Sequence, residues 1–89
     1  MKKIEVDGLK LEVDEGALND MELMDALANV QSEENPLELT KVIRLLLGED
    51  NKKKLYDHYR DDKGRVSIET VAEAVGNIML AMGEEGKNS

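Results

Sequence analysis

The sequence predicts an α+β fold dominated by helices: an N-terminal β-hairpin followed by about four short helices packed as a small bundle. Three observations predict it. Apolar residues alternate with charge on both sides of Asp7-Gly8. Beyond residue 20 the apolar residues recur at helical spacing. Helix start and stop residues punctuate that pattern at regular intervals.

In "KIEVDGLKLEV", Ile4 and Val6 alternate with charge before the Asp-Gly pair, and Leu9, Leu11 and Val13 do so after it. A two-residue Asp-Gly loop suits a turn whose central residues both need positive φ. The spacing predicts a hairpin over 2–13, with one face packed on helices because an isolated hairpin is barely stable. "GALNDMELMDALANVQ" follows. Asn19 or Asp20 can accept from the free amides of a first helical turn. Leu23, Met24, Leu27 and Val30 then mark one face of a helix over about 20–31.

"NPLELTKVIRLLLGED" has both helix ends written in. Asn35 caps, Pro36 takes the first helical position and Glu38 sits three after the cap. Gly48 is placed to stop the helix in a left-handed conformation. Leu37, Leu39, Val42, Ile43, Leu45, Leu46 and Leu47 wrap over half its circumference, which predicts a central helix over 36–47. Asp50 caps a third helix over 51–60, with Leu55, Tyr56 and Tyr59 inward. Ser67 caps the last, over 68–82, whose stripe is Ile68, Val71, Ala72, Val75, Ile78, Met79 and Met82. Gly83 ends it, leaving 84–89 as a flexible tail and 1–83 as one domain.

The chain has 89 residues, no Cys, Trp or Phe, and two Tyr. A disulfide-stapled module, a thiolate metal site and a cysteine nucleophile are therefore excluded. No apolar run approaches the ~20 residues that span a bilayer, and "MKKIEVDGLKLEV" lacks the apolar stretch of a signal peptide. These features read as a soluble cytoplasmic protein. Net charge is −8. Residues 1–40 carry three basic and eleven acidic side chains, whereas residues 41–70 carry eight basic and six acidic. The acidic front half argues against a duplex nucleic-acid binder.

"YRDDKGRVSIET" invites a test as a calcium loop. With Gly64 at loop position 6, position 1 is Tyr59, position 5 is Lys63 and position 12 is Thr70. Asp61 alone supplies a carboxylate at a ligand position, so no metal site is expected. The same residues suit a turn, with Gly64 at positive φ and Ser67 capping the next helix. His58 lacks a sequence partner for general-base work, and no Gly-rich phosphate loop occurs. No catalytic, cofactor-binding or metal residues are assigned, and no enzyme activity or cofactor is expected.

Two stretches suggest contact functions. "NKKKLYDHYRDDKGR" holds six basic residues and both tyrosines, so residues 52–65 offer the alternative of a small nucleic-acid-associated regulatory module. Its aspartates interrupt that patch. At the C-terminal end, "NIMLAMG" places Met79 and Met82 in the apolar stripe and Leu80 well off it. Met79, Leu80 and Met82 are the candidate partner-binding residues.

The acidic helix "DMELMDALANVQ", the segment "NPLELTKVIRLLLGEDNKKKLYDHYRDDKGRVSIETVAEAV" and the hairpin start together resemble the tail assembly chaperones of long-tailed phages and prophages of Gram-positive bacteria. The resemblance covers most of the chain. It implies a non-enzymatic protein of the bacterial cytoplasm. Its implied partners are the tape-measure and tail-tube proteins, bound before tail polymerisation. It further implies a longer, frameshifted form of the same protein as a partner. Gly86-Lys87-Asn88 permits the slippery heptamer such a shift needs, if the codons are suitable.

Overall fold

Lys2–Val6 (β1) and Leu9–Val13 (β2) form an antiparallel hairpin, with Lys2 opposite Val13, Ile4 opposite Leu11 and Val6 opposite Leu9. The structure is a computed structural model that describes residues 1–33 and 37–87, the side chains of 31–33 and 84–87 excepted. Asp7 has φ 51° and Gly8 φ 80°. Both are positive, as the expected turn requires, because only that geometry matches the twist of the flanking strands. Ile4, Leu9, Leu11 and Val13 are buried, while Lys3, Glu5, Lys10 and Glu12 face water. The period of two thus divides the hairpin into a core face and a solvent face.

The sequence reading missed one short element. Glu15–Leu18 makes a 3-10 turn, opened by the Asp14 carboxylate accepting from the Gly16 amide at 2.9 Å. Met21–Glu33 (α1) follows, and Asp20 caps it by accepting from the Glu22 amide at 2.9 Å. Leu23 and Ala26 are buried and Leu27 and Val30 half-buried, but Met24 is exposed. Met24 therefore leaves the predicted inner face, and small Ala26 replaces it at the close approach of α1 to α2.

Leu37–Tyr59 (α2) contains both middle helices of the prediction. Gly48 breaks it, at φ 81° and ψ 170°. Helical turns resume at Glu49, so Asp50 lies inside the second half and does not cap it. The two predicted middle helices run on into each other through the kink at Gly48 as one element, so the described residues form three helices where about four were expected. Asn51 bridges the break: its Nδ2 donates to the Leu47 carbonyl at 3.2 Å and to the Glu12 carbonyl at 2.7 Å. One amide side chain thereby ties the kink to the outer edge of β2. The predicted cap Asn35 and first-turn Pro36 lie outside the described residues.

Ile68–Lys87 (α3) is longer than predicted. Ser67 caps it, its Oγ accepting from the Thr70 amide at 3.3 Å. The helix runs on past the predicted stop at Gly83 to Lys87, and Gly83 does not take the positive φ that ends a helix. Of the tail, only 88–89 lie outside the described residues. The buried stripe is Val71, Ala74, Val75, Ile78 and Met82. Ile68 and Ala72, expected on that stripe, are exposed.

α2 is central. It packs on α1, β2 and α3, while β1 lies against α3, and a single apolar cluster joins all of them. Lys2 closes the two ends of the chain, its Nζ donating to the Ala81 and Met82 carbonyls at 2.9 and 3.2 Å. No helix among the described residues is long and apolar enough to cross a membrane.

Candidate functional site

The three residues singled out near the C-terminus do not share one surface. Met82 is 3% exposed and belongs to the core, and Met79 is half-buried against it. Leu80 is 65% exposed. Helical geometry explains the split: positions 78 and 82 are one turn apart on the buried face, and position 80 points the other way. Met82 is thereby corrected from a surface candidate to a packing residue.

A better-formed apolar surface lies where the first turn of α2 meets the start of α3. Leu37, Leu39, Ile43, Tyr56, Ile68 and Val71 line an open groove of about 310 Å³. Val66, half-buried, contributes to its wall from the connector. Leu37 and Ile68, at 77% and 63% exposure, form the lip. Three residues of the lining, Thr40, Tyr56 and Ser67, carry hydroxyls. Thr40 Oγ1 donates to the Leu37 carbonyl at 2.9 Å, and Ser67 serves as the α3 cap. The groove thus presents mainly hydrocarbon, with the Tyr56 phenol as a polar group in its lining. Sequence periodicity missed it because Leu37 and Ile68 satisfy the apolar pattern of their helices while standing at helix ends, beyond the packing partner. A larger recess, of about 540 Å³, lies over the hairpin's charged face and is lined mainly by Lys3, Glu5, Lys10, Glu12 and Lys54.

The connector between α2 and α3 is built as a closed turn. Asp61 Oδ1 accepts from the amides of Lys63 and Arg65, each at 2.9 Å, and the Asp61 amide donates to the Arg65 carbonyl at 2.8 Å. Gly64 has φ 82° and its amide donates to the Asp61 carbonyl. A short bridge between Arg60 and Val66 flanks the turn. The carboxylate a calcium loop would need is therefore spent on backbone amides. Among the described residues, no group of three or more His, Asp or Glu is placed to hold a metal ion.

Three of the six basic residues of segment 52–65 are in ion pairs among the described residues. Lys52 meets Glu49 at 3.1 Å, while Lys53 and Arg60 share Asp57 at 3.5 and 3.2 Å. Arg60 also donates to the Gly64 carbonyl at 2.8 Å. Tyr56 and Tyr59 are half-buried. His58 and Tyr59 grip the hairpin turn. His58 Nε2 lies 2.8 Å from the Asp7 carbonyl, and the Tyr59 hydroxyl donates to Asp7 Oδ2 at 3.0 Å. Their rings meet edge to face at 4.9 Å. Burial, then the hydrogen bond and negative charge of Asp7, hold the Tyr59 phenol above its ordinary value.

Comparison with protein-family models, with curated proteins and with solved structures finds no match.

Proposed function

We propose that the chain is a non-enzymatic tail assembly chaperone of long-tailed phages or prophages, holding tape-measure protein, tail-tube protein or both before the tail polymerises. The observation that carries this reading is the open apolar groove between α2 and α3, with Leu37 and Ile68 at its lip. Exposed apolar surface gathered around a concavity marks a contact site more often than chance exposure does. A subunit that must stay unpolymerised has its own apolar stripes to hide. Each Å² covered is worth roughly 25 cal/mol. The identity of the partner comes from the sequence resemblance, and the mode of contact from the groove. A net charge of −8 keeps such a complex soluble.

Co-expression of the tagged chain with the tape-measure and tail-tube proteins encoded beside it tests the reading. The expected result is a stoichiometric complex that survives gel filtration with at least one of them. A chain that elutes alone in both cases sinks the proposal.

A further inference from the structure

We infer that Asp7-Gly8 is a site of spontaneous backbone isomerisation, gated by the hold of Tyr59 and His58 on the hairpin turn.

The chemistry needs an aspartate followed by an unshielded amide. Asp7-Gly8 is the one Asp-Gly pair in the chain, and no Asn-Gly occurs. Both residues are exposed, and apart from its chain neighbours nothing lies within 4 Å of where a Cβ on Gly8 would stand. The Gly8 nitrogen bonds to Asp7 Cγ, and the carboxyl hydroxyl leaves with the amide proton as water, closing a succinimide ring. Water then adds to one of the two ring carbonyls. Opening at Cγ restores aspartate. Opening at the main-chain carbonyl breaks the original peptide bond, so the chain runs on through the side chain as isoaspartate, one methylene longer. The water lost in the first step is returned in the second, and no oxidant, reductant or cofactor takes part.

The folded turn keeps the reacting groups on separate partners. The Tyr59 hydroxyl donates to Asp7 Oδ2 at 3.0 Å, and His58 Nε2 lies 2.8 Å from the Asp7 carbonyl. Swinging Cγ onto the Gly8 nitrogen breaks the first contact, and turning the Asp7 peptide breaks the second. The strands are tied elsewhere, by Lys2 to the Ala81 and Met82 carbonyls and by Asn51 to the Glu12 carbonyl. The turn can therefore open while the strands stay docked. A reaction confined to the opened turn runs in proportion to the population of that form.

The product cannot return to the original geometry. The two-residue loop depends on positive φ at both positions, 51° and 80°, and a further backbone carbon removes its match to the strand twist. The groups that Tyr59 and His58 hold also exchange places, since Cγ enters the main chain. Isomerisation thus releases the turn from α2.

The full chain, incubated at neutral pH while folded and while unfolded in guanidinium chloride, tests this. Peptide mapping by mass spectrometry with electron-transfer fragmentation reads isoaspartate at residue 7 over time. The unfolded chain is expected to convert, and the folded chain to convert at least about tenfold more slowly. Tyr59→Phe is expected to speed conversion of the folded chain about tenfold, the effect of one lost hydrogen bond to a charged group. His58→Ala, at an exposed position, is expected to speed it in the same direction. Val30→Ala lowers stability from α1, which packs chiefly on α2, and is expected to leave the rate unchanged. Asp7→Glu is expected to abolish conversion, which ties the signal to this pair. The isoaspartyl form, separated by ion exchange, is expected to melt at a lower temperature than the natural chain. Equal rates for the folded and unfolded chain overturn the inference, as does conversion that neither Tyr59→Phe nor His58→Ala speeds. So does Val30→Ala converting as fast as Tyr59→Phe, since global unfolding then sets the rate. An unfolded chain that forms no isoaspartate at residue 7, or an isoaspartyl form that melts as the natural chain does, overturns it as well.

Discussion

Gly48 and Gly83 both interrupt apolar helical sequence, yet their backbones differ completely. Gly48 sits at φ 81° and ψ 170°, a region open in practice to glycine alone. Gly48→Ala is expected to destabilise the chain by about 1–3 kcal/mol in urea unfolding. Gly83 has no positive φ, and a Cβ built on it meets nothing within 4 Å. Gly83→Ala is expected to stabilise by about 0.5–1 kcal/mol, because alanine removes conformational freedom from the unfolded chain. Tyr59 supplies a pH signature. Its phenol is held above 10.0 in the fold by burial and by Asp7, so the fold favours the protonated form. Its contribution is complete below the unfolded value and is lost as pH rises through the folded one. Denaturation curves on the alkaline side of pH 10 are expected to be flatter for Tyr59→Phe than for the natural chain. Equal slopes would remove this role from Tyr59.

Among the elements, the hairpin was fully legible and the helices only partly so. An Asp-Gly pair between alternating runs admits one register, since a slip by one residue would put Ile4 and Leu11 in water. Helical periodicity names a face but not its edges. It placed Val71, Val75, Ile78 and Met82 correctly in α3 and put Ile68 and Ala72 with them. The stripe of α3 extends past the neighbours that bury it, leaving Ile68 outside at one end. Burial now separates two neighbouring substitutions. Met82→Asp puts a carboxylate into the core and is expected to abolish cooperative thermal unfolding. Leu80→Asp changes an exposed position and is expected to alter stability by no more than about 0.5 kcal/mol. Equal melts for the two would contradict the burial of Met82.

Taken as a unit, the molecule balances one modest core against a strong negative charge. Both strands and all three helices contribute to a single apolar cluster, and the chain carries −8. A chain of this size buries only about 60–65% of its unfolded surface, so self-repulsion weighs heavily. The melting temperature is expected to rise with added sodium chloride up to about 0.3 M as that repulsion is screened. A fall over the same range would mean that the ion pairs around Asp57 outweigh it. Those pairs are exposed, and each is worth roughly 0.2–1 kcal/mol.

Local rules sufficed for the turn at Asp7-Gly8, the caps at Asp20 and Ser67, the break at Gly48 and the turn at Gly64. Each depends on groups within a few positions of one another, where sterics and hydrogen-bond reach leave little choice. The groove between Leu37 and Ile68, the hold of Tyr59 on Asp7 and the exposure of Met24 arose from residues far apart in the chain. Their environments are set by which surfaces run out of partners once α2, α3 and the hairpin have packed. That outcome depends on three-dimensional fit, and periodicity along one chain carries no record of it.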